Sequence, residues 1–117
     1  MKITTLQTYV TNCGIRSRVL VKLETDHGIS GWGECYGVGP DLAIIPTLDY
    51  IFELVKGEDP RRIEFIIQKL LQQFRFPPGS IGLAAISGLD HALWDISGKA
   101  AGLPVYMLLG GAVRDRI

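Results

Sequence analysis

Cysteine is scarce in this chain: Cys13 and Cys35 are its two thiols in 117 residues, too few for a disulfide scaffold or a zinc site. Histidine is equally sparse, and His91, with no second ligand beside it, gives no reason to place a metal. Excess charge is missing too. Twelve basic residues balance twelve acidic ones, so no global field draws in nucleic acid or an anionic membrane. No apolar run approaches the roughly 20 residues that span a bilayer. The opening Met1-Lys-Ile-Thr-Thr5 lacks a charged-then-apolar leader with a small-residue cleavage site, so a cytoplasmic location is expected. Repeats, low-complexity tracts and linkers are likewise absent. The length and the apolar fraction of 47% suit one soluble domain with a modest core.

What is present changes period along the chain. Lys2 to Thr11 carries Ile3, Leu6, Tyr9, Val10 and several Thr, a β-favouring composition with imperfect alternation. Val19, Val21 and Leu23 then alternate with Leu20, Lys22 and Glu24, the pattern of a half-buried strand. Asp26-His-Gly28 supplies a turn, and Ile29 to Glu34 returns as a third strand. Gly31 and Gly33 would weaken that strand unless a neighbouring backbone needs the room.

From Gly37 the spacing becomes helical. Pro40 suits a first turn, the apolar series Leu42 to Val55 follows, and Lys56-Gly57 closes it. Pro46 lies inside and either kinks the helix or delays its start. Asp59-Pro60 reads as the cap and first turn of a second helix ending near Phe74, before Phe76-Pro-Pro-Gly79. Ser80 is expected to cap a third helix, which Gly102-Leu-Pro104 ends. The expected class is therefore α+β: a three-stranded antiparallel meander followed by three main helices.

The third helix organises the rest. Ala85, Leu89, Ala92, Leu93 and Ile96 share one face, and Ala84, Ala85, Gly88, Ala92 and Gly98 keep parts of the surface thin. A thin helical surface is useful where another backbone comes close, and here it is expected to lie on a larger body. Asp90 and Asp95 interrupt the apolar pattern, with Lys99 four residues after Asp95 in the favourable acid-before-base order. The commoner use of such groups is structural, in ion pairs and helix-to-neighbour bonds.

In a meander, the turn after strand one and the exit of strand three lie at the same edge of the sheet. That edge carries Asn12-Cys-Gly-Ile-Arg-Ser17 and Cys35-Tyr-Gly-Val-Gly39, two Gly-rich loops suited to covering a small-molecule pocket. Arg16 is the leading candidate to reach a substrate carboxylate, because its planar fork of donors matches that anion. Tyr36, Cys13 and Ile15 are secondary candidates. The shared edge also raises a redox pairing of Cys13 with Cys35, although cytoplasmic thiols are expected to stay reduced.

The run A-x-S-G-x-D-x-A-L-W-D-I-x-G-K from Ala85 to Lys99, followed by G-x-P-V-x-x-L-L-G-G to Gly111, resembles the signature of the mandelate racemase and muconate lactonizing enzyme group of the enolase superfamily. Ile29-Ser-Gly-Trp-Gly-Glu34 resembles that family's G-x-G-E stretch. The resemblance spans essentially all of residues 1–117, but it covers the N-terminal capping domain alone. It implies an enolase N-terminal domain-like fold whose two edge loops close the mouth of a catalytic barrel and tune substrate choice. The (β/α) barrel itself, roughly 250 further residues, is absent from these 117.

The same resemblance implies Mg²⁺-dependent proton abstraction next to a carboxylate, with the metal ligands and the acid/base residues on barrel strands. No catalytic and no metal residue is therefore assigned in this chain. Trp94 in A-L-W-D-I leans towards the acid-sugar dehydratases, with a racemase or epimerase, or a muconate-type cycloisomerase, as alternatives. Its partners would be its own barrel domain, a small carboxylate such as a sugar acid, and other copies in a homo-oligomer, with neither nucleic acid nor membrane. From a different class, a stand-alone non-catalytic binding module would have its small-residue helix face and its last segment covered by its own elements.

Overall fold

The computed structural model describes residues 1–37 and 39–116; Val38, in the second Gly-rich stretch, and Ile117 lie outside the described residues. Strands β1 (Ile3–Cys13), β2 (Arg16–Thr25) and β3 (Ser30–Cys35) form an antiparallel sheet in the order β1-β2-β3. A 3₁₀ turn (Asp41–Ala43) leads into helices α1 (Ile44–Val55), α2 (Ile63–Gln73), α3 (Gly79–Ala101) and the short α4 (Val105–Leu108). The α+β expectation holds, with the helices on one face of the sheet.

The alternation in β2 sets that face. Val19, Val21 and Leu23 are at most 1% exposed, and their partners on β3 are Cys35, Gly33 and Gly31. Each large residue of β2 thus sits beside a small one on β3. The space is taken by α3: a methyl group on Gly31 would overlap the Ala92 carbonyl oxygen, and one on Gly33 would overlap that of Gly88. Gly31 and Gly33 are therefore the price of bringing strand and helix backbones into contact.

This corrects the expectation for the thin flank of α3. Ala84, Ala85, Gly88 and Ala92 are buried inside the domain, with Gly88 and Ala92 against β3. They are not a surface held out to a larger body. The last segment behaves differently, since Tyr106, Met107, Leu109 and Val113 are all exposed.

Helix boundaries follow local hydrogen bonding. Pro46 delays α1 rather than kinking it: with Ala43 as N-cap, Pro46 sits in the first turn, where its missing N–H has no intrahelical acceptor to lose. Asp59-Pro60 does not start α2. The Asp59 carboxylate accepts the Arg61 N–H at 3.1 Å and the Arg61 guanidinium at 2.6 Å, and the Arg62 N–H bonds to the Asp59 carbonyl at 3.0 Å. That closes a separate turn, so the helix proper begins at Ile63. Ser80 is inside α3, whose N-cap is Pro78 and has no side-chain cap bond. The other end matches its reading: Gly102 takes φ 66°, and the Leu103 N–H reaches back to the Gly98 carbonyl at 2.9 Å.

Reciprocal bonds of 2.9 Å, from Ile3 N–H to the Glu58 carbonyl and from Gly57 N–H to the Ile3 carbonyl, tie the start of β1 to the α1–α2 connection. No helix among the described residues is long and apolar enough to cross a membrane.

Candidate functional site

The end of the sheet that carries the β1–β2 turn and the exit of β3 forms a hollow of about 440 Å³. Ile15, Arg16 and Ser17 line it from the hairpin, and Tyr36, Gly37, Gly39 and Asp41 from the segment after β3. Three of the four candidate residues, Ile15, Arg16 and Tyr36, are thereby brought together. Cys13 is exposed on the adjoining ribbon, outside the residues that line the hollow.

The first of the two expected loops is a ribbon. Asn12 pairs with Ser17 and Cys13 with Arg16, leaving Gly14-Ile15 as a two-residue turn. Gly14 has φ 70° and Ile15 does not adopt positive φ, the type II′ pattern that matches strand twist and keeps pairing intact up to the tip. Ile15 is 98% exposed at that tip.

Sequence reasoning passed over Asp41 and Ser17. Asp41 is only 8% exposed; its Oδ2 accepts the Ser17 hydroxyl at 2.6 Å and its Oδ1 accepts the Gly39 N–H at 3.2 Å. The carboxylate binds the segment after β3 to the start of β2, and so holds both walls of the hollow together. An Asp after Gly-Pro was a visible signal for a turn or first-turn carboxylate, but its partner lies 24 residues away. Arg16 is exposed, and no hydrogen bond or ion pair engages its guanidinium among the described residues. Its neighbour Arg18 is paired with Glu34 at 3.3 Å. Arg16 is the cation at this edge left available to an anion.

The remaining singled-out groups have structural environments. Asp95 Oδ2 accepts the Trp32 N–H at 2.9 Å and the Lys99 ammonium at 2.7 Å, and Lys99 also donates to the Ser30 carbonyl at 2.8 Å. This clamp fastens α3 to the edge of β3. Cys35 is buried against Gly88; burial, reinforced by the Glu34 charge and opposed by a backbone hydrogen bond from Gly88, pushes its thiol up to about 11. Both cysteines are free, and with Cys35 sealed the redox pairing has no support. Asp90 is half-buried, and burial raises its carboxyl above the ordinary value, opposed by His91 and reinforced by Glu64.

No three His, Cys, Asp or Glu side chains among the described residues gather in a way that could hold a metal ion. The donor set of the described residues does not fit Mg²⁺, and no chemical step is assigned to a metal here.

Residues 1–110 match the family described as mandelate racemase / muconate lactonizing enzyme, N-terminal domain, and the chain belongs to that family. It is similar to the D-galactonate dehydratase of Variovorax paradoxus, 45% identical over 118 residues that span all of this chain and 30% of the relative. Among solved structures, an enolase from Agrobacterium radiobacter with sodium and L-malate bound matches at TM-score 0.96 and 56% identity, over 100% of this chain and 30% of that one. An enolase from Pantoea ananatis with bound D-gluconate and magnesium matches at TM-score 0.91 and 41% identity, over 97% of this chain and 28% of that one. The chain thus spans under a third of the length of these relatives.

Proposed function

We propose that residues 1–117 are the capping domain of a Mg²⁺-dependent acid-sugar dehydratase, closing the mouth of a barrel that follows it and contributing to substrate choice. The observation that carries this reading is the unpartnered Arg16 at the rim of a hollow shared with Ile15 and Tyr36, on a chain 45% identical to a D-galactonate dehydratase. In this reading Arg16 holds the carboxylate of a sugar acid by charge-assisted hydrogen bonds, while Tyr36 and Ile15 shape the space beside it. Proton abstraction next to that carboxylate, and the metal that stabilises the charge so formed, belong to the barrel. A cytoplasmic setting and a homo-oligomeric full-length enzyme complete the proposal.

The test replaces the matched 30% of the V. paradoxus enzyme with this chain. The chimera is expected to dehydrate D-galactonate or a related sugar acid with Mg²⁺, and Arg16→Met to raise KM about tenfold or more with a smaller change in kcat, the scale of a charged hydrogen bond. The isolated chain is expected to show no turnover. Turnover from the isolated chain, or a KM indifferent to Arg16→Met, would overturn the reading.

A further inference from the structure

The outward side of α3, opposite the sheet, carries two hollows of about 480 and 440 Å³ that share Glu64 and Trp94 and so form one groove between α2 and α3. Ile63 and Ile67 of α2, Leu83, Ile86 and Trp94 of α3, and Leu108 of α4 supply most of its apolar lining.

Two polar groups set into this lining have no hydrogen bond or ion pair among the described residues. The Ser97 hydroxyl is buried and makes no hydrogen bond, a state that costs free energy until a partner arrives. The Asp90 carboxylate is half-buried and makes no hydrogen bond or ion pair among the described residues; only His91, its neighbour in sequence, acts in favour of its charge. Arg61, at one end of the groove, is held by Asp59 at 2.6 Å; Lys99, further along α3, is held by Asp95 at 2.7 Å. A half-desolvated anion beside a second acid, Glu64, is unfavourable while the groove is open.

We infer that this groove is the seat of the body by which the relatives exceed this chain, and that this body presents an Arg or Lys to Asp90 and a hydrogen-bond partner to Ser97. The inference rests on the capping-domain reading and names the surface through which the cap is held. Two observations select the occupant. Most of the relatives' length lies outside the stretch matched here, and the chain runs on from Leu108 in the groove into Leu109 and Val113, both apolar and exposed. A second copy fits poorly, because a two-fold contact through this face would set Asp90 and Glu64 against their own counterparts.

Thiol labelling tests it. Ser87→Cys in the groove and Glu53→Cys on the exposed side of α1 are made separately in a Cys13→Ser background, in the isolated chain and in the chimera described above. Similar alkylation rates at both positions in the isolated chain, with position 87 slowed at least about tenfold in the chimera and position 53 unchanged, would support the inference. Undiminished labelling at 87 in a chimera that turns over would overturn it and leave the capping reading standing. Protection in a chimera without activity would support it while that reading fails. Slowing at 87 in the isolated chain as its concentration rises would overturn it in favour of a second copy. As an independent measure, Asp90→Arg is expected to lower the chimera's melting point but not that of the isolated chain; the same response in both overturns the inference.

Discussion

Gly33 in β3 lies against the main chain of Gly88 in α3, so close that a methyl group on Gly33 would overlap the Gly88 carbonyl oxygen. A backbone oxygen cannot rotate away as a side chain can. Gly33→Ala is therefore expected to cost roughly 2 kcal/mol or more in a urea melt. A methyl on Gly88 would meet instead the Cys35 Sγ, which can be removed. Gly88→Ala should be destabilising alone and partly rescued by Cys35→Ala, with a coupling of about 1 kcal/mol. Strict additivity would show that the two residues do not share the space.

The two thiols should separate cleanly in reactivity. Cys13 is exposed, whereas Cys35 is sealed and its thiol is pushed up to about 11, so at pH 8 it is neither ionised nor accessible. Iodoacetamide and mass spectrometry should give one adduct on the native chain, at Cys13, and two after unfolding. Equal modification of both under native conditions would contradict the buried placement of Cys35.

Acid should weaken the turn at Asp59. The Arg61 side chain holds the Asp59 carboxyl down to about 2, below its value of about 3.9 in an unfolded chain. The folded state thus binds this proton more weakly, so the contribution is complete above about pH 4 and disappears as pH falls towards about 2. With side chains 57% and 28% exposed for Arg61 and Asp59, solvent screening limits it to at most about 1 kcal/mol. Asp59→Asn should flatten the acid limb of stability measured by urea midpoints from pH 2 to 6. An unchanged limb would remove this pair from the account.

The clamp from α3 to β3 makes a graded prediction. Asp95→Ala removes the acceptor for both the Trp32 N–H and Lys99, at a cost of about 1–2 kcal/mol. Asp95→Asn keeps an oxygen for the Trp32 N–H and loses the ion pair, for about 0.5–1 kcal/mol, less at high salt. Amide exchange at Trp32 should quicken in the Ala variant and change little in the Asn variant. Equal effects of the two would show that the backbone bond contributes nothing.

Much of this architecture was legible because it is local. The alternation of Val19, Val21 and Leu23 and the glycine end of α3 each depend on near neighbours in sequence. Where a residue chooses between two local roles, the outcome was hidden: Asp59 looks like a helix cap, yet its carboxylate is taken by Arg61 two residues on. The thin face of α3 announced close contact without saying with what, and Gly31 and Gly33 were the other half of that message. At the site, topology alone brings Ile15, Arg16 and Tyr36 to one edge. The Ser17–Asp41 bond could not be read, since no local pattern links those positions, and Asn12–Ser17 looked like a loose loop because Gly14 permits either a loop or a tight turn.

The ribbon that ends at Gly14-Ile15 restricts how the mouth can be altered. Because Cys13 and Arg16 are already paired at its last rung, inserting one residue on each strand would carry the guanidinium one rung out and turn it to the opposite side of the sheet, whereas inserting two on each strand would carry it further out on the same side. The reach of this arm on one side of the sheet is therefore adjustable only in steps of two rungs, and a lineage retuning it for longer or shorter acids would lengthen or shorten the ribbon by two residues on each strand at a time.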